Sequence, residues 1–339
     1  MNLLEEKYTP YALCHEMLET VSVISSFDPA CADIVEPLVG KGYDSILLTG
    51  EGSSRIFPAK NAISTSLNSQ PHLRPFTEGS TQALDYNLSK SLVLGASNSG
   101  KTKEVIRLFH RLREQGHGGL VGLSAHGETP LGELCDATHV LNCGGEKAVA
   151  ATKSVVEQAL FVMALMSQIG GKAMPSLDGL DHSVGQALTQ SIKNELVQKA
   201  AAAPTLYFSG RNDGVAEELT LKTNEITRKK SDFLEGTYGV HGIEEVMLKE
   251  DVVILIDPFE SEEEKIATCL EQGVGMSVFA ISHRPTRFPT MLIPDAGPWN
   301  TVVQLCAGWN LLVEIGLHLG INLDKPERAR KVGNEYVPA

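Results

Sequence analysis

The sequence is short of basic side chains for its length. Its 29 Lys and Arg stand against 42 Asp and Glu, a formal net charge of -13. Such a field repels a polyanion over most of the surface, so nucleic acid is not expected as a partner. Long oily runs are missing too. The longest, Ala159 to Met166, is far too short to span a bilayer, and Met1 to Lys7 lacks the basic-then-apolar pattern of a leader. No membrane contact is expected, and a cytoplasmic location is. The six cysteines, Cys14, Cys31, Cys135, Cys143, Cys269 and Cys306, form no C-x-x-C pair and have no histidines at metal-ligand spacing. This suits reduced thiols, mostly core filler, and predicts neither a metal nor another cofactor.

A chain of 339 residues exceeds the usual ceiling for one hydrophobic core, which predicts two modules. The pattern supplies them. The apolar run Ser45 to Thr49 leads through Gly50-Glu51-Gly52-Ser53-Ser54 into helical spacing from Ile56 to Leu67. Thr205 to Phe208 repeats that grammar, through Ser209-Gly210-Arg211-Asn212-Asp213 into a helical stretch from Val215 to Lys229. A second apolar run follows at matching distance in each copy: Ser91 lies 46 residues after Ser45, and Val252 lies 47 after Thr205. Helical stretches Lys103 to Gln115 and Glu262 to Gln272 come next, then third apolar runs at Leu120 to Leu123 and Met276 to Ile281. Alternating strands and helices predict an α/β fold of two doubly wound parallel sheets, of flavodoxin-like type, related by internal duplication. The expected divisions are an N-terminal helical segment at 1–41, modules at 42–170 and 195–323, and a C-terminal tail at 324–339 closing the site.

Between the second run and its helix stands Gly95-Ala96-Ser97-Asn98-Ser99-Gly100-Lys101-Thr102. Small hydroxyl residues between glycines, at a strand-to-helix turn, aim backbone N–H and side-chain O–H groups at one spot beside a helix's positive end. That is a cradle for an oxyanion. The second copy has Asp257-Pro258-Phe259-Glu260-Ser261 at the equivalent place, whose carboxylates would repel an anion. The loop also satisfies G-x-x-x-x-G-K-[ST], the nucleotide P-loop, with Asp251 to Asp257 as a conceivable Mg-binding strand. Against that reading, the loop follows what reads as the second strand of a repeated unit. The aspartate also belongs to the other module.

On the helix after Asp213, Val215, Leu219, Lys222 and Ile226 fall at i, i+4, i+7 and i+11, so a lysine interrupts an apolar stripe. Glu225, three residues on, shares its face. Burial beside a cation would tune this carboxylate for proton transfer, whereas an exposed i, i+3 ion pair would do nothing chemical. A glycine-punctuated loop from Leu234 to Glu245 then offers His241, which in isolation could equally be a surface histidine.

Taken in order, six motifs resemble those of the sugar isomerase (SIS) family, most nearly the isomerase half of glucosamine-6-phosphate synthase, with its related phosphosugar deaminases and Amadori-product deglycases. They are Gly52-Ser53-Ser54; Ser97 to Thr102; Glu146 to Lys153; Lys222-Thr223-Asn224-Glu225-Ile226; His241-Gly242; and Asp324-Lys325-Pro326 followed by Lys331. The likeness covers roughly residues 40–335. It implies that Ser97, Asn98, Ser99 and Thr102 hold a sugar 6-phosphate. Gly52, Ser53 and Ser54 would lie near the sugar hydroxyls, with Val149 and Ala151 lining the site. It implies Glu225 as the base shuttling a proton between C1 and C2, His241 as the ring-opening acid/base, and Lys222 and Lys331 as groups that stabilise the enolate oxygen or move protons between O1 and O2. Lys331 further resembles the family lysine able to form an imine with an open-chain ketose. Because the family histidine comes from a neighbouring subunit, the resemblance implies a homodimer or higher homo-oligomer.

Departures from the family pattern bear on the substrate. Lys101 stands where the synthase loop is acidic, an added cation that fits phosphate or a 6-sulfonate equally, and Ala151 stands where a serine is usual, which leaves the sugar end open as well. The second-module helix starts two residues early. With neither a glutaminase segment nor a cysteine at position 2, the chain is not expected to release ammonia from glutamine. The function expected is metal-free aldose/ketose isomerisation of a small anionic sugar through an enediol. Deamination or deglycation of a 6-phosphorylated amino sugar or fructose-amine adduct is the alternative, and non-catalytic sugar-phosphate binding a further one.

Overall fold

The structure, a computed structural model, describes residues 1–67, 71–328 and 335–336. Its strands form two five-stranded sheets in which every pair runs parallel. The first contains β1 (Ser45–Gly50), β2 (Arg74–Gly79), β3 (Ser91–Ala96), β4 (Leu120–Ser124) and β5 (Ala137–Val140), in the order β2-β1-β3-β4-β5. The second contains β6 (Thr205–Gly210), β7 (Lys230–Glu235), β8 (Val252–Ile256), β9 (Ser277–Ser282) and β10 (Thr290–Leu292), in the order β10-β9-β8-β6-β7. Read from the other edge, that is the same 2-1-3-4-5 order, so the sequence repeat is a repeat of topology. In both sheets the winding reverses between the first and third strands, where ligands of such folds sit.

One detail expected from the sequence is corrected. The glycine loop follows the third strand of its unit, because β2 intervenes. This strand, Arg-Pro-Phe-Thr-Glu-Gly, is a partly exposed edge with no apolar run to betray it. Central strands look different. All six residues of β3 are buried, as expected where a parallel sheet is covered on both faces.

The chain divides into two compact units, one around each sheet. The first-sheet unit comprises Val23–Glu146 and Ala151–Ser176, joined by tail residues Glu335 and Tyr336. The second-sheet unit comprises Met1–Ser22, Lys147–Ala150 and Leu177–Arg328. Four helices carry or brace the residues of chemical interest: α1 (Ala12–Ser25), α2 (Lys103–Glu114), α3 (Val215–Thr227) and α4 (Asn300–His318). The first-sheet core packs Val105, Ile106, Leu108, Phe109 and Leu112 of α2 on Leu47, Val93 and Leu120 of the sheet. Their 3.6-residue spacing leaves Lys103, Arg107 and Arg111 in solvent. In the second unit Leu234, Val253, Leu255, Val278 and Ala280 form the corresponding core with Ile266 and Leu270. The stretch Glu262 to Gln272 is only partly α-helical: a turn at Glu263–Ile266 widens into a π-helical stretch, Ala267–Val274.

All six cysteines are free. Burial pushes the thiols of Cys14, Cys31 and Cys135 up to about 12, so they are inert core and packing groups. Among the described residues no helix is long and apolar enough to cross a membrane.

Candidate functional site

The cradle loop starts at the carboxyl end of β3 and ends at the first turn of α2. Neighbouring strands β1 and β3 are in register at Gly50 and Ala96, so Glu51–Ser54 and Ser97–Thr102 emerge side by side at the reversal point. Ser97, 1% exposed, donates its N–H to Leu123 O (2.9 Å) and accepts Thr102 N–H on its Oγ (3.2 Å). The two hydroxyls of Ser97 and Thr102 lie 2.7 Å apart. One hydroxyl proton is used within that pair, and the other is available to an incoming acceptor. Ser99 Oγ accepts Lys101 N–H at 3.2 Å, which closes the loop from within. Gly100 takes φ +65°, and a Cβ there would lie 2.4 Å from Thr129, so only glycine fits this turn. Beyond it, the first-turn N–H groups of α2 have no helical carbonyl to bond, which makes this end electropositive.

Asn98 serves the loop differently. Its side-chain Nδ2 donates to Glu146 (2.8 Å), while its carbonyl accepts Ala125 N–H (2.9 Å). Glu146 is a hub: 8% exposed, it also accepts Thr152 N–H at 2.6 Å, the Thr152 hydroxyl at 3.1 Å and the Ser154 hydroxyl. In the sequence Glu146 is visible only as part of a family motif, with no role attached. Ser53 is buried and Ser54 half-buried on a short helical turn, where Gly52 takes φ +53°. Burial raises the carboxyl of Glu51, just before that turn, above the ordinary carboxylate range, partly offset by Ser80 N–H. A bound anion nearby would push it further the same way. Lys101 is exposed. The tail reaches this loop: Tyr336 N–H donates to Lys101 O at 2.8 Å, and Glu335 bridges Thr102.

In the second-sheet unit the stripe on α3 is wholly buried, Val215, Leu219, Lys222 and Ile226 all at 0%. Close helix packing achieves this. Gly308 of α4 abuts Leu219 so tightly that a Cβ would lie 2.3 Å from it. Lys222 Nζ sits 2.6 Å from Glu225 Oε2 and 3.5 Å from Glu218 Oε1. Glu218 is fully buried, whereas the Glu225 side chain keeps 26% of its surface. The ammonium is thus held between a sealed carboxylate and one that reaches the surface. Glu218 went unremarked in the sequence, although i, i+4 spacing to a lysine on an apolar stripe marks it. Such a pair can accept and return a proton through Glu225 while Lys222 supplies a fixed positive charge.

His241 lies exposed at the end of a short helical turn after β7, its Nε2 3.5 Å from Lys265 Nζ. Val149 and Ala151 are half-buried and fall in different units. The loop bearing Val149 is held by α1, whose Glu16 accepts Lys147 and Ala148 N–H, and by Asp324 O, which accepts Val149 N–H. The Asp324 carboxylate in turn caps α1, accepting Ala12 and Leu13 N–H at 2.9 Å each. Lys331 lies outside the described residues. Among the described residues no cluster of His, Cys, Asp or Glu could hold a metal. Asp257, which the nucleotide reading would need, is paired with Arg211 and Ser282 within its own unit.

A doubled 2-1-3-4-5 arrangement with a serine-lined loop at the reversal of one sheet defines a class of two-module α/β proteins. Residues 43–168 match the SIS domain. The chain thus carries a SIS domain and is homologous to the isomerase domain of glucosamine-fructose-6-phosphate aminotransferase. Glutamine–fructose-6-phosphate aminotransferase (isomerizing) from Caulobacter vibrioides is 23% identical over 266 residues, 71% of this chain and 44% of the relative. The chain therefore spans less than half the length of that curated relative. The fold is shared with the C-terminal domain of glucosamine-fructose-6-phosphate aminotransferase from Francisella tularensis, at TM-score 0.78 and 15% identity, covering 95% of this chain and 100% of that one. Tagatose-6-phosphate ketose/aldose isomerase from Escherichia coli matches at TM-score 0.73 and 16% identity, over 93% and 95%. Glucosamine-6-phosphate deaminase from Thermotoga maritima matches at 0.70 and 19%, over 96% and 99%. At these identities the structural likeness is one of fold.

Proposed function

We propose that this protein is an isomerase interconverting the aldose and ketose forms of a sugar that carries phosphate, or a similar anion such as sulfonate, at C6. The observation that carries the reading is Lys222, fully buried and 2.6 Å from the partly exposed Glu225, in a chain whose other sheet builds a serine-lined anion loop. A lysine sealed in an apolar helix face is costly unless its charge is used or balanced, and here it is both balanced by Glu218 and set against a solvent-reachable carboxylate.

In this reading Ser97, Ser99, Thr102 and the amino end of α2 hold the anion, with Asn98 bracing the loop. Gly52, Ser53 and Ser54 meet sugar hydroxyls, and Val149 and Ala151 contact the substrate. Glu225 removes the proton at C2 of the open-chain aldose and returns it to C1, while Lys222 and Lys331 stabilise the enediol oxyanion and pass the hydroxyl proton from O2 to O1. His241 opens the ring from a neighbouring subunit of a homodimer. No step requires a metal or an organic cofactor.

The test is solvent exchange. A 6-phosphorylated hexose deuterated at C2, incubated with the protein, should lose its label to water. Glu225→Gln should stop this while leaving ligand binding within a few-fold of wild type. Persisting exchange in that variant would remove Glu225 as the base. The fold shared with a glucosamine-6-phosphate deaminase supports a second reading, amine release from the same kind of substrate. Ammonia or amino-acid release, measured against plain isomerisation, separates the two.

A further inference from the structure

The two sheets share a topology, so each position around the first reversal point has a counterpart at the second. Ser97 is the first residue beyond β3 and donates its N–H to Leu123 of β4 at 2.9 Å. Asp257 is the first residue beyond β8 and donates its N–H to Ile281 of β9, also at 2.9 Å. The cradle's leading serine is therefore matched by an aspartate whose side chain does not point away into solvent. Its Oδ2 accepts from Arg211 Nη1 at 3.1 Å, its Oδ1 accepts from Ser282 Oγ at 2.8 Å, and His283 Nδ1 lies 3.5 Å from that same oxygen. Arg211 also bonds the Asp257 carbonyl and is stacked 4.3 Å from the ring of Phe259.

The groups around the carboxylate come from two strand ends. Arg211 is the first residue after β6, Ser282 ends β9 and His283 follows it. That is the ring of groups an oxyanion at this crevice would use. Asp257 enters it with φ +43°, in the left-handed region where Asp, Asn and Gly are the tolerated residues. Asp213, buried and bonded to Val215 N–H at 3.0 Å, is a second carboxylate near Arg211. Arg284 faces outward, to Pro258 O and Glu263.

We propose that the reversal point of the second sheet is an anion site filled by the chain's own Asp257 carboxylate, with Arg211 and Ser282 as its donors and His283 beside them. Phosphate-class anions enter this half only when that carboxylate is removed. The inference stands on the shared topology and the contacts of Asp257, independently of the isomerase reading.

The test uses the full chain and inorganic phosphate at fixed ionic strength. Asp257→Gly keeps the backbone conformation accessible and deletes the carboxylate. By equilibrium dialysis, Asp257→Gly should bind one more phosphate per chain than wild type, and the added Arg211→Gln substitution should abolish the increment. An unchanged stoichiometry in Asp257→Gly, or an increment that survives loss of Arg211, overturns the proposal. If Asp257→Gly does not fold, Asp257→Asn retains the backbone and a hydrogen bond to Ser282 but leaves Arg211 uncompensated. Its melting temperature should then gain more from phosphate, relative to chloride, than that of wild type. An equal gain overturns the proposal just as well.

Discussion

At the scale of single residues, two charges decide most of what can be measured. Lys222 is the cation set against the sealed carboxylate of Glu218, so its removal takes the paired positive charge away from a buried negative one. Lys222→Ala should cost about 3–5 kcal/mol in denaturant unfolding, and adding Glu218→Gln should return part of that loss. Glu225→Gln should change stability far less, because that side chain keeps contact with water. The second charge is Asp213, whose carboxyl is pushed up to about 6, chiefly by burial. Its folded-state value lies above the ordinary 3.8, so the unfolded chain releases this proton first as pH rises. Stability from this group is greatest below about pH 4, falls between about pH 4 and 6, and is then level. The difference between Asp213→Asn and wild type should grow over that window to at most about 3 kcal/mol at pH 7. A flat difference across the window would show that Asp213 is not the titrating group. Of these residues, Lys222 and Glu225 were legible in the sequence because a charge on an apolar stripe is conspicuous. Glu218 is marked in the sequence only by its i, i+4 spacing to Lys222, and nothing short of the packed structure shows that the head of Asp213 is sealed from water.

Among the elements, the six strands readable from sequence, β1, β3, β4, β6, β8 and β9, are the six that lie inside their sheets, and the four not read, β2, β5, β7 and β10, are the edges. The reason is physical. An inner strand of a parallel sheet is apolar on both faces, whereas an edge such as β7 alternates exposed residues with half-buried or buried ones, with Lys230 and Glu235 exposed at its ends. Loop glycines were legible as turns, but their partners were not. Gly100 is fixed by Thr129, which lies 29 residues away and outside any motif. Gly100→Ala should destabilise by about 1–3 kcal/mol, from the positive φ and the contact with Thr129, and should raise the KM for a sugar 6-phosphate more than it lowers kcat. Equal KM values in the two proteins would separate this turn from anion binding.

For the whole molecule, the question is how many chains make one active enzyme. His241 is exposed in the single chain, as a residue destined for a neighbour would be, and the proposed isomerase chemistry requires that neighbour. Glu225→Gln and His241→Asn chains, each inactive alone, should regain about a quarter of wild-type activity when unfolded together and refolded as an equal mixture, because half the dimers are mixed and each carries one intact site. No recovery on mixing would place His241 and Glu225 in the same chain's chemistry.

The brace on the anion loop also has a consequence for how the protein is made. Asn98 leaves the ribosome 48 residues ahead of Glu146, and the hydroxyl groups that fix Glu146 come later still, at Thr152 and Ser154. During synthesis the loop therefore exists as sequence well before its support does, and, if the loop holds the anion as proposed, a nascent chain halted between positions 102 and 146 should carry those residues yet grip poorly. Phosphate protection of stalled chains against a protease should accordingly switch on only once residue 154 has cleared the exit tunnel.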